Sequence, residues 1–206
     1  MESKKVDKVF THLRNTFGEN PRCELNYTHP HELLIAIILS AQCTDKRVNM
    51  VTPTLFARYK SVKDFANADQ ADVEKIIHSC GFYHNKATSI IKLCNELLAL
   101  PEIPKTVEEL SKLSGLGRKS ASVFLAEQYG IPALAVDTHV IRLSNRFEFT
   151  TSRDPIKIER DLKKLFDEKN WGAYSFYMVL FGRYHCTAKN PKCAECALKG
   201  ECNVPR

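Results

Sequence analysis

Hydrophobic positions recur along this chain at the three-and-four spacing of amphipathic helices. One face of a helix with 3.6 residues per turn collects such positions. They are Ala87, Ile90, Ile91, Cys94, Leu97 and Leu98; Val6, Phe10, Leu13 and Phe17; and Ile158, Leu162, Leu165 and Phe166. Sustained alternation of hydrophobic and polar residues between hairpin turns, the signature of strands, is hard to find anywhere in the sequence. The pattern therefore predicts an all-α fold, with short connections at Pro53, Gly81 and the glycines near residue 116.

The segment 29–42, HPHELLIAIILSAQ, is apolar on nearly all sides rather than on one face. Pro30 stands where the first turn of a helix accepts proline, and Glu32 follows just inside. A helix that is hydrophobic all round is usually buried. The segment predicts a central helix.

Composition narrows the class of protein without naming a function. With 206 residues, 44% of them apolar, the chain can bury a core in one domain or in two small packed lobes. The longest apolar run, Leu33 to Leu39, is far shorter than a membrane span, and no apolar signal core follows the N-terminal lysines, so we expect a cytosolic protein. The net charge of +6 favours a polyanionic partner only weakly.

Four cysteines near the C-terminus have the spacing C-x6-C-x2-C-x5-C: Cys186, Cys193, Cys196 and Cys202. In a reducing compartment, clustered cysteines indicate metal ligands rather than disulfides. The chain from His185 onward has few apolar residues, and a bound metal would supply the folding energy that this segment lacks. Both zinc and a 4Fe-4S cluster accept four thiolates, and the spacing does not choose between them. The other four, Cys23, Cys43, Cys80 and Cys94, are scattered and are interpreted as buried small hydrophobic residues.

The segment 113–121, LSGLGRKSA, places two glycines between predicted helices, one at about 106–112 and one from about 117. It is not a Walker A loop, because Arg118 stands where that motif needs glycine before Lys-Ser. Backbone N–H groups in such a turn, with the positive end of the next helix, can hold one phosphate without reading base sequence. The alternative is a plain turn that joins two packed helices.

Lys119 and Asp137 are the two candidates for chemistry. Lys119 lies in the first turn of a predicted helix, where the macrodipole disfavours a cation and so favours the neutral amine. A neutral lysine can attack an aldehyde carbon and form a Schiff base, although most single lysines are solvated surface charges. Asp137 precedes an amphipathic helix, so it is either an N-cap or a carboxylate suited to stabilising a cationic sugar or taking a proton. Neighbouring His139 is interpreted as a helix or core histidine.

Taken together, these segments resemble the endonuclease III family, DNA glycosylases of the helix-hairpin-helix superfamily with a C-terminal iron-sulfur cluster. The segments, in the family's order, are LLIAIILSAQCTD (33–45), GFYHNKA (81–87), LSGLGRKSA (113–121), AVDTHVIRLSNR (135–146), FGRYHC (181–186) and the four cysteines. The resemblance implies a 4Fe-4S cluster rather than zinc, held by a loop at 186–202. It also implies two helical lobes flanking a DNA-binding cleft: a six-helix lobe of roughly 23–134 with the hairpin at about 106–128, and a cluster lobe of 1–22 with 135–206.

The resemblance also implies roles for single residues. Lys119 matches the family's Schiff-base lysine, Asp137 its catalytic aspartate, and Gln42 the residue that fills the gap left by the flipped base. Phe82 stands where the family often has leucine and is expected to act as an apolar wedge in the opposite strand. Gly115, Gly117 and Arg118 of the hairpin turn are expected to contact the DNA backbone.

The implied activity is that of a bifunctional DNA glycosylase and AP lyase of base excision repair. Such an enzyme removes oxidised pyrimidines and cuts the strand 3′ to the abasic site by β-elimination. We expect a monomer acting on double-stranded DNA that contains damaged pyrimidines or abasic sites. The alternatives are an adenine or thymine mismatch glycosylase of the same superfamily, disfavoured by Lys119 and by Ala36 in place of a catalytic glutamate, and a non-enzymatic DNA-binding module.

Overall fold

The computed structural model describes residues 2–204, and this part of the chain is helical, with no β-strand. Eleven α-helices are present in the described chain, joined by turns that include four short 3-10 segments. The helices are α1 (Glu2–Phe17), α2 (Pro30–Ser40), α3 (Asp45–Arg58), α4 (Val62–Ala66), α5 (Gln70–Ile77), α6 (Tyr83–Leu98), α7 (Val107–Leu110), α8 (Arg118–Tyr129), α9 (Thr138–Arg146), α10 (Pro155–Leu165) and α11 (Trp171–Tyr184). The predicted all-α class is confirmed. None of the described helices is both long enough and apolar enough to cross a membrane.

The chain forms two compact units. One comprises Glu24–Tyr129, and the other combines the N-terminal segment up to Cys23 with the chain from Gly130 onward. The sequence-based division at 22/23 and 134/135 lies one and five residues away from these boundaries. The Glu24–Tyr129 unit, all of it described, contains the seven helices α2–α8, of which α4 and α7 are short segments of five and four residues.

Helix α2 is the centre of the Glu24–Tyr129 unit. Its residues from Glu32 to Leu39 are all buried, and the helix packs against α3, α6 and α8. The buried Glu32 carboxylate accepts hydrogen bonds from the N–H groups of Thr28 (2.6 Å) and His29 (3.0 Å), which fixes the start of the helix. A helix that contacts neighbours on several sides needs apolar residues all round, which explains the pattern of its sequence.

The predicted break at Pro53 is wrong, because α3 continues through that residue. Val51, Thr52 and Leu55 are buried around it. A proline inside a helix costs about 3 kcal/mol through its missing N–H and its ring. Burying two aliphatic side chains yields about 1.5–3 kcal/mol each, which is enough to keep the helix continuous.

The other unit packs α1, α9, α10 and α11 around an aromatic core. Tyr174, Tyr177, Phe147 and Phe181 are among its largest fully buried side chains. The Tyr174 hydroxyl shares a hydrogen bond with Ser144 Oγ at 3.1 Å, which satisfies both polar groups inside the core. This core supports α9, which directly follows the candidate aspartate, and α11, which ends two residues before the first candidate metal ligand.

Candidate functional site

The hairpin of α7 and α8 is held to the rest of its unit by Ser114 and Gly115. The N–H and the hydroxyl of Ser114 donate to the two Glu96 carboxylate oxygens, each at 2.7 Å. Gly115 has φ +78°, and a Cβ at this position would lie 2.9 Å from Ser89 Cβ and 3.0 Å from Ile38 Cδ1. The backbone conformation and the packing therefore both require glycine at 115.

Gly117 differs from Gly115 because nothing inside the molecule demands it. An added Cβ would meet no heavy atom within 4 Å, and φ is not in the left-handed region. Gly117 directly precedes α8, and its carbonyl accepts the N–H of Ala121 at 2.9 Å. Since glycine has no side chain to cap the helix, the first N–H groups of α8 suit an external anion such as a phosphate.

Lys119 is exposed in the first turn of α8, and its Nζ makes no hydrogen bond or ion pair with the described residues. Neighbouring Arg118 is also exposed and forms an ion pair with Glu108 at 3.2 Å. An exposed ion pair of this kind contributes little stability and exchanges partners readily. The hairpin thus brings Gly117, Arg118 and Lys119 together on one accessible surface.

Gln42 and Phe82 are exposed residues with unusual backbones. Their φ angles are +53° and +47°, and these two belong to three non-glycine residues with positive φ in the described chain. A left-handed backbone costs roughly 1–2 kcal/mol for a residue with a side chain. Phe82 is also 62% exposed, so its ring covers little of its own unit. Such strain persists where the surrounding structure imposes it, and it is concentrated at functional sites.

Asp137 begins α9 as its N-cap. Its Oδ1 accepts the N–H groups of His139 (2.8 Å) and Val140 (2.9 Å), whereas Oδ2 has no hydrogen bond within the described residues. One oxygen therefore orients the carboxylate and the other is available for chemistry. Asp137 belongs to the unit that combines the N-terminal segment with the chain from Gly130 onward, and Lys119 belongs to the Glu24–Tyr129 unit. His139 is half-buried, and burial lowers its pKa, which agrees with a structural histidine.

The four cysteines of the C-terminal loop line a single pocket together with Phe147, Phe181, Arg146, His185, Lys192 and Lys199. No carboxylate is among the described residues that line it. Burial raises the pKa of the Cys196 and Cys202 thiols, and the neighbouring thiols raise them further, as expected of sulfur atoms directed at one space. The positive charges of Arg146, Lys192 and Lys199 would offset the negative charge of four thiolates, so the chemistry of the lining residues suits a thiolate-held metal centre. Within the described residues, no three His, Cys, Asp or Glu side chains are positioned to hold a single metal ion.

Arg146 holds the first part of this loop, Cys186 to Ala188. Its guanidinium donates to Cys186 Sγ at 3.0 Å and to the carbonyls of Cys186, Thr187 and Ala188 at 3.2, 2.9 and 3.3 Å. Arg142, one turn earlier on α9, donates to the carbonyls of Gly182 (3.0 Å) and Cys186 (3.1 Å). Helix α9 therefore has Asp137 as its N-cap and holds the first candidate ligand through Arg146 at its other end.

Residues 35–168 match the model of the HhH-GPD superfamily base excision DNA repair protein. Endonuclease III of Synechocystis sp. is 47% identical over 183 residues, which are 87% of this chain and 84% of the relative. The chain belongs to the endonuclease III family. The resemblance drawn from its motifs is confirmed, and the chain is a DNA glycosylase and AP lyase of base excision repair.

Two solved structures extend the likeness within the endonuclease III family. One is a non-covalent endonuclease III–DNA complex, and the other is a trapped endonuclease III–DNA covalent intermediate. Each superimposes with a TM-score of 0.92 at 39% identity and covers 98% of this chain and 95% of the solved one. The helix-hairpin-helix glycosylase fold is therefore the fold of this chain.

Sequence reasoning missed one side chain of this endonuclease III family member. Lys86 is 5% exposed, yet its Nζ donates to the carbonyls of Leu39 (2.8 Å) and Cys80 (2.9 Å). A lysine within GFYHNKA reads as an ordinary surface charge, because its acceptors are main-chain atoms that the pattern does not reveal. The predicted burial of the scattered cysteines is correct for Cys80 and Cys94, whereas Cys23 and Cys43 are half-buried. The thiols of Cys23 and Cys43 lie on loops rather than on the apolar face of a helix.

Proposed function

We propose that this chain removes oxidised pyrimidines from double-stranded DNA and then cuts the backbone 3′ to the abasic site, with Lys119 as the nucleophile. The observation that carries the proposal is the accessible Lys119 amine, which follows a turn suited to holding a phosphate. A backbone phosphate held at Gly117 would bring the sugar of a neighbouring nucleotide towards this amine. The solved DNA complexes of close relatives, one of them covalent, support the same reading.

The first step is extrusion of the damaged base. An oxidised pyrimidine stacks and pairs weakly, which lowers the cost of removing it from the duplex. Gln42 would occupy the vacated space and hydrogen-bond the orphaned partner base, and Phe82 would insert its ring as an apolar wedge. Both side chains are exposed, so little buried surface has to be uncovered before they enter the DNA.

The chemistry then uses two side chains in sequence. The Lys119 nitrogen attacks the sugar C1′, the C1′–N bond breaks, and the base leaves with the bonding electrons and takes up a proton. The Asp137 carboxylate, held by its Oδ1, would stabilise the positive charge that develops on the sugar through Oδ2. The Lys119 nitrogen then gives up a proton, and the C1′–O4′ bond breaks as O4′ takes up a proton, which leaves a C1′=N iminium on the opened sugar. This iminium acidifies the C2′ hydrogen, and loss of that proton expels the 3′ phosphate as the C3′–O bond breaks. Base removal and strand scission thereby depend on the same lysine.

The four-cysteine pocket is the proposed site of a 4Fe-4S cluster, with Cys186, Cys193, Cys196 and Cys202 as ligands. When bound, the cluster supplies the cross-links that a loop with few apolar residues needs in order to hold one conformation. Arg146 would hold the first ligand by its hydrogen bond to Cys186 Sγ. Anaerobically purified protein should be brown and contain about four irons per chain. The Cys202→Ser variant should lose both the colour and the iron. A colourless protein with one zinc per chain would contradict this assignment.

The glycosylase and lyase steps can be tested with a panel of duplexes that differ in one base. The panel contains oxidised thymine, oxidised cytosine, an adenine mismatch and a plain abasic site, and base release is scored separately from strand cleavage. We expect release of the oxidised pyrimidines, cleavage at abasic sites, and loss of both activities in Lys119→Gln. Asp137→Asn should retain DNA binding and lose most base release. Release of mismatched adenine without strand cleavage would overturn the proposal.

We also propose that one chain suffices and that it acts in the cytoplasm as a monomer. Light scattering would check the monomeric state.

A further inference from the structure

The loops that carry Gln42 and Phe82 belong to one unit but lie far apart in the sequence. Gln42 lies in the turn between α2 and α3, whereas Phe82 lies between a 3-10 turn, His78–Cys80, and the start of α6. Both residues have left-handed backbones, and both side chains are exposed, so they bury little surface of their own. Something other than their own contacts must therefore hold the two loops in these conformations.

Lys86 contacts both loops. Its backbone lies in the first turn of α6, and its N–H donates to the Phe82 carbonyl at 3.0 Å. Its side chain runs inward, and Nζ donates to Leu39 O near the end of α2 and to Cys80 O two residues before Phe82. One ammonium thus joins the residues that lead into Gln42 to those that lead into Phe82.

Among the described residues, no carboxylate accepts a hydrogen bond from the Lys86 side chain. Burial lowers the pKa of Lys86, while the nearby Cys43 and Cys80 thiols act in the opposite direction. Burial and the neighbouring Cys43 thiol raise the pKa of Cys80 to about 11, so the thiol is neutral at physiological pH. A buried cation supported only by carbonyls is costly, and a lysine that merely filled space would be replaceable by an apolar residue. The two carbonyl acceptors, at 2.8 and 2.9 Å, offset part of this cost.

We propose that Lys86 is a positioning residue for base extrusion, which fixes the gap-filling Gln42 and the wedge Phe82 at one separation by bridging Leu39 O and Cys80 O. The inference rests on the proposed function, because it assigns Lys86 a role through those two residues and not through contact with DNA. A structural lysine would affect stability only. A positioning lysine also sets the rate of base release, and its effect disappears when Gln42 and Phe82 have lost their side chains.

The test compares Lys86→Met with Lys86→Arg and with Lys92→Met. Methionine keeps the length of the stem and removes the charge, arginine keeps a donor at its end, and Lys92 is an exposed lysine on the same helix with no hydrogen bond to the described residues. Base release from a duplex with one oxidised pyrimidine is measured with saturating protein, at a temperature where circular dichroism shows unchanged helix content. Misplacement of about 1 Å can slow a reaction about 100-fold. We expect a loss of that order in Lys86→Met, partial rescue in Lys86→Arg, and no loss in Lys92→Met.

The deciding measurement places Lys86→Met in a Gln42→Ala/Phe82→Ala background. There the lysine has nothing left to position, and we expect less than about a threefold further loss, because effects that act through shared residues do not add. A loss that multiplies fully in this background, or a wild-type rate in Lys86→Met alone, would overturn the inference. Amide exchange at 41–43 and 80–82 supplies a readout without catalysis: it should quicken in Lys86→Met and not in Lys92→Met. If wild-type protein released no base while this exchange difference appeared, the proposed function would fail and the bridge between the loops would stand.

Discussion

The two glycines of the hairpin turn look equivalent in the sequence, but alanine at each should have a different effect. Gly115→Ala places a Cβ 2.9 Å from Ser89 Cβ, which is fixed to its own backbone, and 3.0 Å from Ile38 Cδ1, with φ at +78°. The left-handed backbone costs about 1–2 kcal/mol and the overpacking about 1–3 kcal/mol. The free energy of unfolding should therefore fall by about 2–5 kcal/mol. At about 2–4 °C per kcal/mol for a protein of this size, the melting temperature should drop by about 10 °C.

Gly117→Ala is the matched control for this stability effect. Its Cβ would enter open space without a left-handed backbone, so the only cost is that of alanine at a helix start, at most about 1 kcal/mol. Thermal melting followed by circular dichroism measures both variants, and binding to an abasic-site duplex is measured beside it. We expect Gly117→Ala to melt near wild type but to bind DNA more weakly, since its methyl group occupies the space that a phosphate would enter. The reasoning is refuted if Gly115→Ala melts within about 2 °C of wild type, or if Gly117→Ala binds DNA as wild type does.

Two further predictions concern the side chains of Arg146 and His31. Arg146→Met should lower the iron bound per chain, because the Cys186 sulfur loses its hydrogen-bond donor; colorimetric iron analysis beside the exposed control Arg160→Met checks this, and equal iron in both would contradict it. Burial lowers the pKa of His31 below 6.5, so the unfolded chain binds this proton more readily and stability should fall as the pH drops below about 6.5. Melting curves at pH 7.5 and 5.5 test the sign, and His31→Gln should show a smaller difference between the two.

Much of the fold could be predicted because local patterns determined it. The all-round apolar segment at Leu33–Leu39 became the central buried helix, and the four clustered cysteines line one pocket. Pro53 shows the limit of such patterns: its local signal indicates a break, whereas burial of Val51 and Leu55, which depends on packing partners elsewhere, keeps α3 continuous.

The residues of the candidate site also differ in whether the sequence alone reveals them. Lys119 and Asp137 are recognisable because their types and local contexts recur in a known family. Lys86 was not, because its partners are carbonyl oxygens, one of them 47 residues away, and every residue type has a carbonyl. The distinction between Gly115 and Gly117 also depends on distant atoms, those of Ile38 and Ser89, which no local pattern contains.

The central claim is that Lys119 forms a Schiff base with the abasic sugar. Borohydride reduces such an iminium to a stable amine, so protein mixed with abasic-site DNA and borohydride should give a covalent protein–DNA adduct on a denaturing gel. Mass mapping of that adduct should locate the modification at Lys119. The adduct should be absent in Lys119→Gln and present in Lys112→Gln, a control at an exposed lysine of the same hairpin. A folded wild-type protein that binds this DNA without forming an adduct, or an adduct that persists in Lys119→Gln, would contradict the mechanism.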